Sequence, residues 1–466
     1  MYSPLTNCTF APVIFKLTVT MQRLIAAFLL LFTAFNCQLS LFNGQWSMVN
    51  VQWSTVNSQN LFVGGDISVL QSYEDNNVDY FNQQGGRIND VLKYLKSDAV
   101  GWNAARVRLF VDPKKKNPDG GIDAQVCQNL DYVVRFCKRL KAEGFAVMLD
   151  FHYSDTWADP SNQWIPASWA NLNEDELKTR IYEYTKECLQ RLVEEEATPD
   201  FIQIGNEVSY GMLWSATVNR TSRTNRCFSD SPAANWTRFK NLLSQASSAC
   251  REICPDAKII IHTERSGDAN ALKSIYSKLS TVDYDIIGLS YYPIWHNSLS
   301  VLSQSLNKLA SEFPDKPVQI VETAYYYQWQ PAVGQGTTYD FSSTWPITPA
   351  GQAAFTRDLV TELKQHSNVN GLYWWFPEEN GNGDNNAVLS GWVNRGLWDN
   401  QSHKALPALY ELKAFAENAS AVKSPEGKSP GNKSTNIFDL QGRKISSVPH
   451  GIVIEHDGQV ARKLVY

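Results

Sequence analysis

"FIQIGNEVSYGMLW" (residues 201–214) is the stretch that decides the fold. Phe201, Ile202, Gln203 and Ile204 have the composition of a buried strand. Gly205, Asn206 and Glu207 then arrive together, followed by Tyr210 and Trp214. An apolar strand that delivers a carboxylate at its tip, with an aromatic loop behind it, is a strand entering a site at the mouth of an α/β protein.

The same device recurs on both sides of it. "LFVGGDIS" (61–68), "AARVRLF" (104–110), "AVMLDFH" (146–152), "KIIIHTE" (258–264), "YDIIGLSYY" (284–292), "PVQIVETAY" (317–325) and "GLYWWFPE" (371–378) all read as strands with polar groups near their ends. Helical patterns separate them. Residues 123–144 carry apolar side chains at three- and four-residue spacing and stop at Gly144. Residues 173–196 open with an asparagine cap and an acidic first turn. Eight strand–helix units predict a (β/α)8 barrel. The competing fold is a doubly wound sheet, which needs a phosphate-binding glycine loop after an early strand; "GGDIS" is not one.

Strand parity predicts where side chains point. Val107 and Leu109 should face the helices, so Arg106 and Arg108 point into the barrel, where buried guanidinium groups require carboxylates. Met148, Asp150 and His152 form another such row. Asp66, Glu207, Glu264, Tyr291, Tyr292 and Glu322 also sit at strand ends. A structural ion-pair network would account for the charges, but not for the aromatic loops after the third, fourth, sixth and eighth strands.

Composition narrows the partner. The chain has 466 residues, a formal net charge of -5, 15 Trp and 20 Tyr. Its one basic run, Lys114–Lys116, lies in a loop-like Pro/Asp/Gly context, so nucleic acid is not an expected partner. Flat indoles in an acidic chain suit the apolar faces of sugar rings. Paired acids ringed by aromatics, without a phosphate loop or a metal constellation, suit glycoside cleavage.

The ends of the chain read differently. Residues 21–37, "MQRLIAAFLLLFTAFNC", have the length of a signal-peptide core and are short for a membrane span, so residues 1–40 are assigned to an N-terminal extension and signal peptide. Cys37 leaves a lipid anchor open as an alternative, and the expected location is exported: secreted, periplasmic or cell-surface. The catalytic barrel is expected over 41–418, a Ser/Pro/Gly/Lys linker over 419–435, and a small β tail over 436–466 that resembles C-terminal sorting modules of exported proteins. The six cysteines after Cys37 form no paired framework and are expected to be mostly buried thiols. A monomer without a membrane span in its mature form is expected.

"LDFHYSDTWADP", "QIGNEVSYGMLW", "GLSYYPIWH" and "VETAY" together resemble the signature blocks of glycoside hydrolase family 53, the arabinogalactan endo-β-1,4-galactanases; "GGDIS" and "NAARVRLFVDP" fit the same pattern. The resemblance spans about residues 60–415. It implies Glu207 as acid/base, Glu322 as nucleophile and Asn206 as the amide holding the substrate's 2-hydroxyl. Arg108, His152, Tyr291, Trp295 and Trp374 fall in matching blocks and are expected to line the sugar sites. It further implies double displacement, with carboxyl groups about 5–5.5 Å apart and Glu322 kept ionised by Arg108. Some relatives bind calcium after the nucleophile strand. Here that loop lacks an acid until Asp340, so no cofactor is expected, although "EENGNGDNN" (378–386) has calcium-type donors. A related barrel hydrolase acting on β-mannan or β-glucan, and a non-catalytic polysaccharide-binding barrel, are the alternatives.

Overall fold

The computed structural model describes residues 60–113, 120–121, 125–217, 222–381 and 393–417, together with the backbone of short strands near both ends. Eight strands close a barrel: β1 (Phe62–Asp66), β2 (Ala104–Leu109), β3 (Ala146–Phe151), β4 (Phe201–Ile204), β5 (Lys258–Thr263), β6 (Ile286–Tyr291), β7 (Val318–Thr323) and β8 (Val369–Trp375). Every neighbouring pair is parallel, and β8 pairs with β1 to complete the ring. Connections between parallel strands are helices: α1 (Val91–Lys96), α2 (Leu130–Ala142), α3 (Glu174–Glu194), α4 (Ala233–Ile253), α5 (Ala269–Lys278), α6 (Leu299–Glu312) and α7 (Pro349–Leu363), with the short α8 (Ala408–Glu411) after β8.

Alternation along each strand sorts the core into two apolar sets. Val107, Leu109, Val147, Leu149, Ile202 and Ile259 belong to the large layer between strands and helices. Ala104, Met148, Phe201, Ile260, Ile286, Val321 and Tyr373 fill the barrel interior. Above that plug, the inward positions turn polar: Asp66, Arg106, Arg108, Asp150, Gln203 and His262 are all fully buried.

Two boundaries depart from the sequence pattern. The helix expected over 123–144 begins only at Leu130. The preceding segment is tied to strand ends instead: the Phe110 N–H donates to the Gln128 carbonyl, and Asn129 caps the helix by accepting from the Tyr132 N–H. β4 ends at Ile204 because Gly205 takes a left-handed φ of 100°. By contrast, α3 starts where expected, closed by the reciprocal Asn173–Glu176 capping box.

The chain divides into two compact units, Met1–Ala416 and Glu417–Tyr466. The second contains a four-stranded antiparallel sheet built from Lys444–Ile445, Asn436–Phe438, Ile452–His456 and Ala461–Val465, in that order. The expected signal segment 21–37 and the linker 419–435 lie outside the described residues. Among the described residues no helix is long and apolar enough to cross a membrane. Cys137, Cys188, Cys227, Cys250 and Cys254 are buried free thiols, and Cys127 is partly buried.

Candidate active site

A cleft of about 630 Å³ opens at the C-terminal ends of the strands and is lined by Asn206, Glu207, Tyr292 and Glu322 among others. Backbone geometry brings the two glutamates there. After Gly205 the chain turns, and Glu207 itself adopts φ 47°, a left-handed conformation that costs a side-chain-bearing residue energy. On β7, Val321 already faces the interior, so simple alternation would send Glu322 outward. The β6–β7 register slips between Leu289 and Ser290, pairing Ser290 with Glu322 rather than with Val321. This bulge re-aims Glu322 inward. A carboxylate oxygen of Glu207 and one of Glu322 lie within 4.8 Å of each other.

The two carboxyls have different surroundings. Glu322 meets a cation and a hydroxyl: Arg106 Nη1 is 3.1 Å from Oε1, and the Tyr292 hydroxyl donates to Oε2 at 2.8 Å. No cation among the described residues pairs with Glu207; the Ser290 hydroxyl donates to its Oε1 at 2.6 Å. Burial raises the pKa of both acids. Glu207 is pushed furthest, well above the usual carboxylate range, by desolvation and then by the negative Glu322 and Glu264. Glu322 is raised by desolvation too, but Arg106 and Tyr292 oppose the rise. The pair is therefore arranged so that Glu207 holds a proton while Glu322 is the first to lose one.

A buried polar framework fixes this asymmetry. Arg106 bridges Asp66 (2.6 Å), Asp150 (2.8 Å), the Asn206 side-chain carbonyl (2.7 Å) and Glu322. His262 lies 2.8 Å from Ser290 Oγ through Nε2, and its Nδ1 accepts from the Glu207 N–H at 3.3 Å. Burial and Arg106 keep that imidazole neutral, its pKa well below the usual value. Gln203, on the same inward face of β4, donates to Asp150 at 2.5 Å. Ser290 and His262 are not among the residues singled out from sequence, whereas Arg106 and Tyr292 are, as an inward cation and a strand-end group, but without an expected role in the site. Alternation contains the signal for Ser290 and His262, which share their faces with Ile286 and Ile260.

The remaining expected residues divide. Asn206, His152 and Trp295 line the cleft. Asn206 donates to the Ala158 carbonyl, His152 contacts Asp150 at 3.0 Å, and Trp295 donates to the Gly336 carbonyl. Three others are corrected. Tyr291 is in the outer core, its hydroxyl donating to the Asn297 carbonyl; its neighbour Tyr292 reaches the cleft. Trp374 also faces the helices, edge-on to Phe355 of α7, whereas Trp375 lines the cleft. Both corrections have one cause: Ser290 and Tyr373 face inward, so the next residue faces outward. Arg108 points inward as parity requires but does not reach Glu322. It contacts Asp66 at 3.3 Å and lies 4.6 Å from the Trp157 ring; Arg106 takes the expected partner.

Two groups of side chains have donors of the kind that ligate metals. Glu207, His262 and Glu322 place one donor each within 4.8 Å, but both ring nitrogens of His262 are occupied by hydrogen bonds. In the 378–386 segment, Glu378 accepts from the Val69 N–H and Glu379 from the Tyr73 hydroxyl and the Gly381 N–H, while 382–386 lie outside the described residues.

Residues 62–412 match the family model described as glycosyl hydrolase family 53. An endo-beta-1,4-galactanase from Bacillus subtilis is 29% identical over 84% of this chain and 85% of its own length. An arabinogalactan endo-beta-1,4-galactanase from Thermothelomyces thermophilus is 32% identical over 67% of this chain and 88% of its own. The solved structure of the Ignisphaera aggregans GH53 catalytic domain superposes with a TM-score of 0.65 at 30% identity, covering 78% of this chain and 98% of that one. With its eight-stranded parallel barrel and a match that spans it, the chain belongs to glycosyl hydrolase family 53.

Proposed function

We propose that this protein is an exported, endo-acting, retaining β-1,4-galactanase, with Glu207 as general acid/base and Glu322 as nucleophile. One observation carries the mechanism: two carboxyls on separate strand ends, with oxygens within 4.8 Å, in unequal electrostatic surroundings. That spacing supports direct attack on the anomeric carbon, being shorter than the roughly 6.5–9.5 Å of an inverting pair that must hold a water. Glu207 protonates the leaving oxygen while Glu322 forms the glycosyl ester. The ester carries no charge, so Glu207 loses its repulsive neighbour, its pKa falls, and it accepts a proton from the incoming water.

Galactan as substrate is supported by the activities named for the relatives, and endo action by an open cleft walled by Trp157, Trp295 and Trp375. Export is supported by the apolar segment within residues 21–37. The test is reducing-end release and viscosity loss on β-1,4-galactan, β-mannan and β-glucan. Rapid viscosity loss on galactan alone is expected. Preferential cleavage of mannan or glucan would overturn the substrate, and binding to galactan without chain shortening would overturn catalysis.

A further inference from the structure

Arg108 is a buried cation with few partners. It is fully buried, yet only Nε approaches a carboxylate, Asp66 at 3.3 Å. Its Nη1 and Nη2 have no hydrogen-bond partner among the described residues. What surrounds the guanidinium instead is aromatic: the rings of Trp157 at 4.6 Å, Trp375 at 5.7 Å and Phe376 at 5.8 Å. Trp157 and Trp375 form part of the cleft wall, with centroids 6.1 Å apart and planes inclined by 50°. Arg108 does not itself line the cleft.

A cation placed this way is a poor device for stability. Burying a guanidinium costs more than burying an apolar side chain of similar length, and loose pairing does not recover that cost. What the planar group supplies is orientation. Ring faces align toward a cation through their quadrupoles, and a desolvated guanidinium makes that preference strong. Trp157 lies in the loop after β3 and Trp375 is the last residue of β8; β3 adjoins β2 on one side, and β8 lies beyond β1 on the other.

We propose that Arg108 is a positioning residue that sets the angle of the Trp157–Trp375 wall against which sugar rings stack. It acts through the two indoles and not on the substrate. The proposal rests on the reading of the cleft as a polysaccharide site.

The test is a double-mutant cycle on galactan cleavage with Arg108→Met, Arg108→Lys, Trp157→Ala and the combined variants. Loss of one buried cation–π alignment should raise KM about tenfold in Arg108→Met while kcat stays within about threefold. Arg108→Lys, which keeps charge beside Asp66 but not the planar fork, should fall between it and wild type. In a Trp157→Ala background, either substitution should change KM by clearly less than it does in the wild-type background, because the nearer of the two rings it acts through is gone. KM effects that multiply independently would overturn the proposal, as would a fall in kcat with KM unchanged. If the Met variant does not fold, the Lys variant carries the same cycle. Near-UV circular dichroism of the unliganded protein provides a readout that needs no substrate. A shifted tryptophan band in Arg108→Met or Arg108→Lys is expected, and an unchanged band overturns the proposal even if wild type leaves galactan intact, which would separately overturn the substrate reading.

Discussion

Tyr292→Phe isolates the force that keeps Glu322 ready to attack. The substitution keeps the ring and removes one hydroxyl, the donor 2.8 Å from Glu322 Oε2. Hydrogen bonds to charged groups contribute about 1.5–3 kcal/mol, and this one favours the ionised carboxylate. At 1.36 kcal/mol per pH unit, its loss should raise the Glu322 pKa by about 1–2 units. Desolvation already raises that pKa, and Arg106 at 3.1 Å would be left to oppose it alone. The sign follows from the mechanism: attack needs Glu322 deprotonated, so kcat/KM on galactan should begin to fall at a pH about 1–2 units higher than in wild type as the solution is acidified. The alkaline limb, set by loss of the Glu207 proton, should move less. The measurement is kcat/KM against pH for both proteins, with the folded state checked at each pH. An acidic limb that does not move, or moves downward, would refute the claim that Tyr292 tunes Glu322.

Other substitutions test other parts of the site. Glu207→Gln should lower kcat/KM on galactan by about 10²–10⁴-fold, and much less on an aryl galactoside whose leaving group needs no proton; equal losses of kcat/KM on both substrates would contradict the acid role. Arg106→Met should lower stability by about 3–5 kcal/mol, because Asp66 and Asp150 lose their shared counter-charge. Urea denaturation reads this, and an unchanged midpoint would show that the network is not structural. Glu378 is buried, its pKa raised well above normal by desolvation. A raised carboxyl pKa means the folded state binds more protons than the unfolded one, so its contribution to stability is full below the unfolded pKa and declines as pH rises above it. Glu378→Gln keeps an acceptor for the Val69 N–H and removes that decline, so its melting temperature relative to wild type should increase from pH 5 to pH 8; a constant difference would argue against the burial account.

The barrel was legible because its strands are short apolar runs and its helices carry their own stop signals, such as Gly144 and the Asn173 cap. Parity placed Arg106 and Arg108 inside for the same reason: Val107 and Leu109 have nowhere else to go than the helix layer. What sequence did not disclose is which inward cation reaches which acid. Arg106 and Arg108 are chemically identical and two residues apart on one strand, yet in the folded barrel the first meets Glu322 and the second meets tryptophan rings. The bulge on β7 was equally hidden, since strict alternation predicts the opposite face for Glu322. Tyr291 and Trp374 show the reverse failure: alternation did contain the answer, but a resemblance by block does not resolve adjacent aromatics one residue apart.

The account stands on Glu207 and Glu322 acting on one anomeric carbon in two successive displacements. Proton NMR of a galactan oligosaccharide digest, recorded in the first minutes before mutarotation, reads this directly. New reducing ends appearing first as the β anomer are the predicted result; an initial α anomer would contradict it, whatever the spacing of the two side chains.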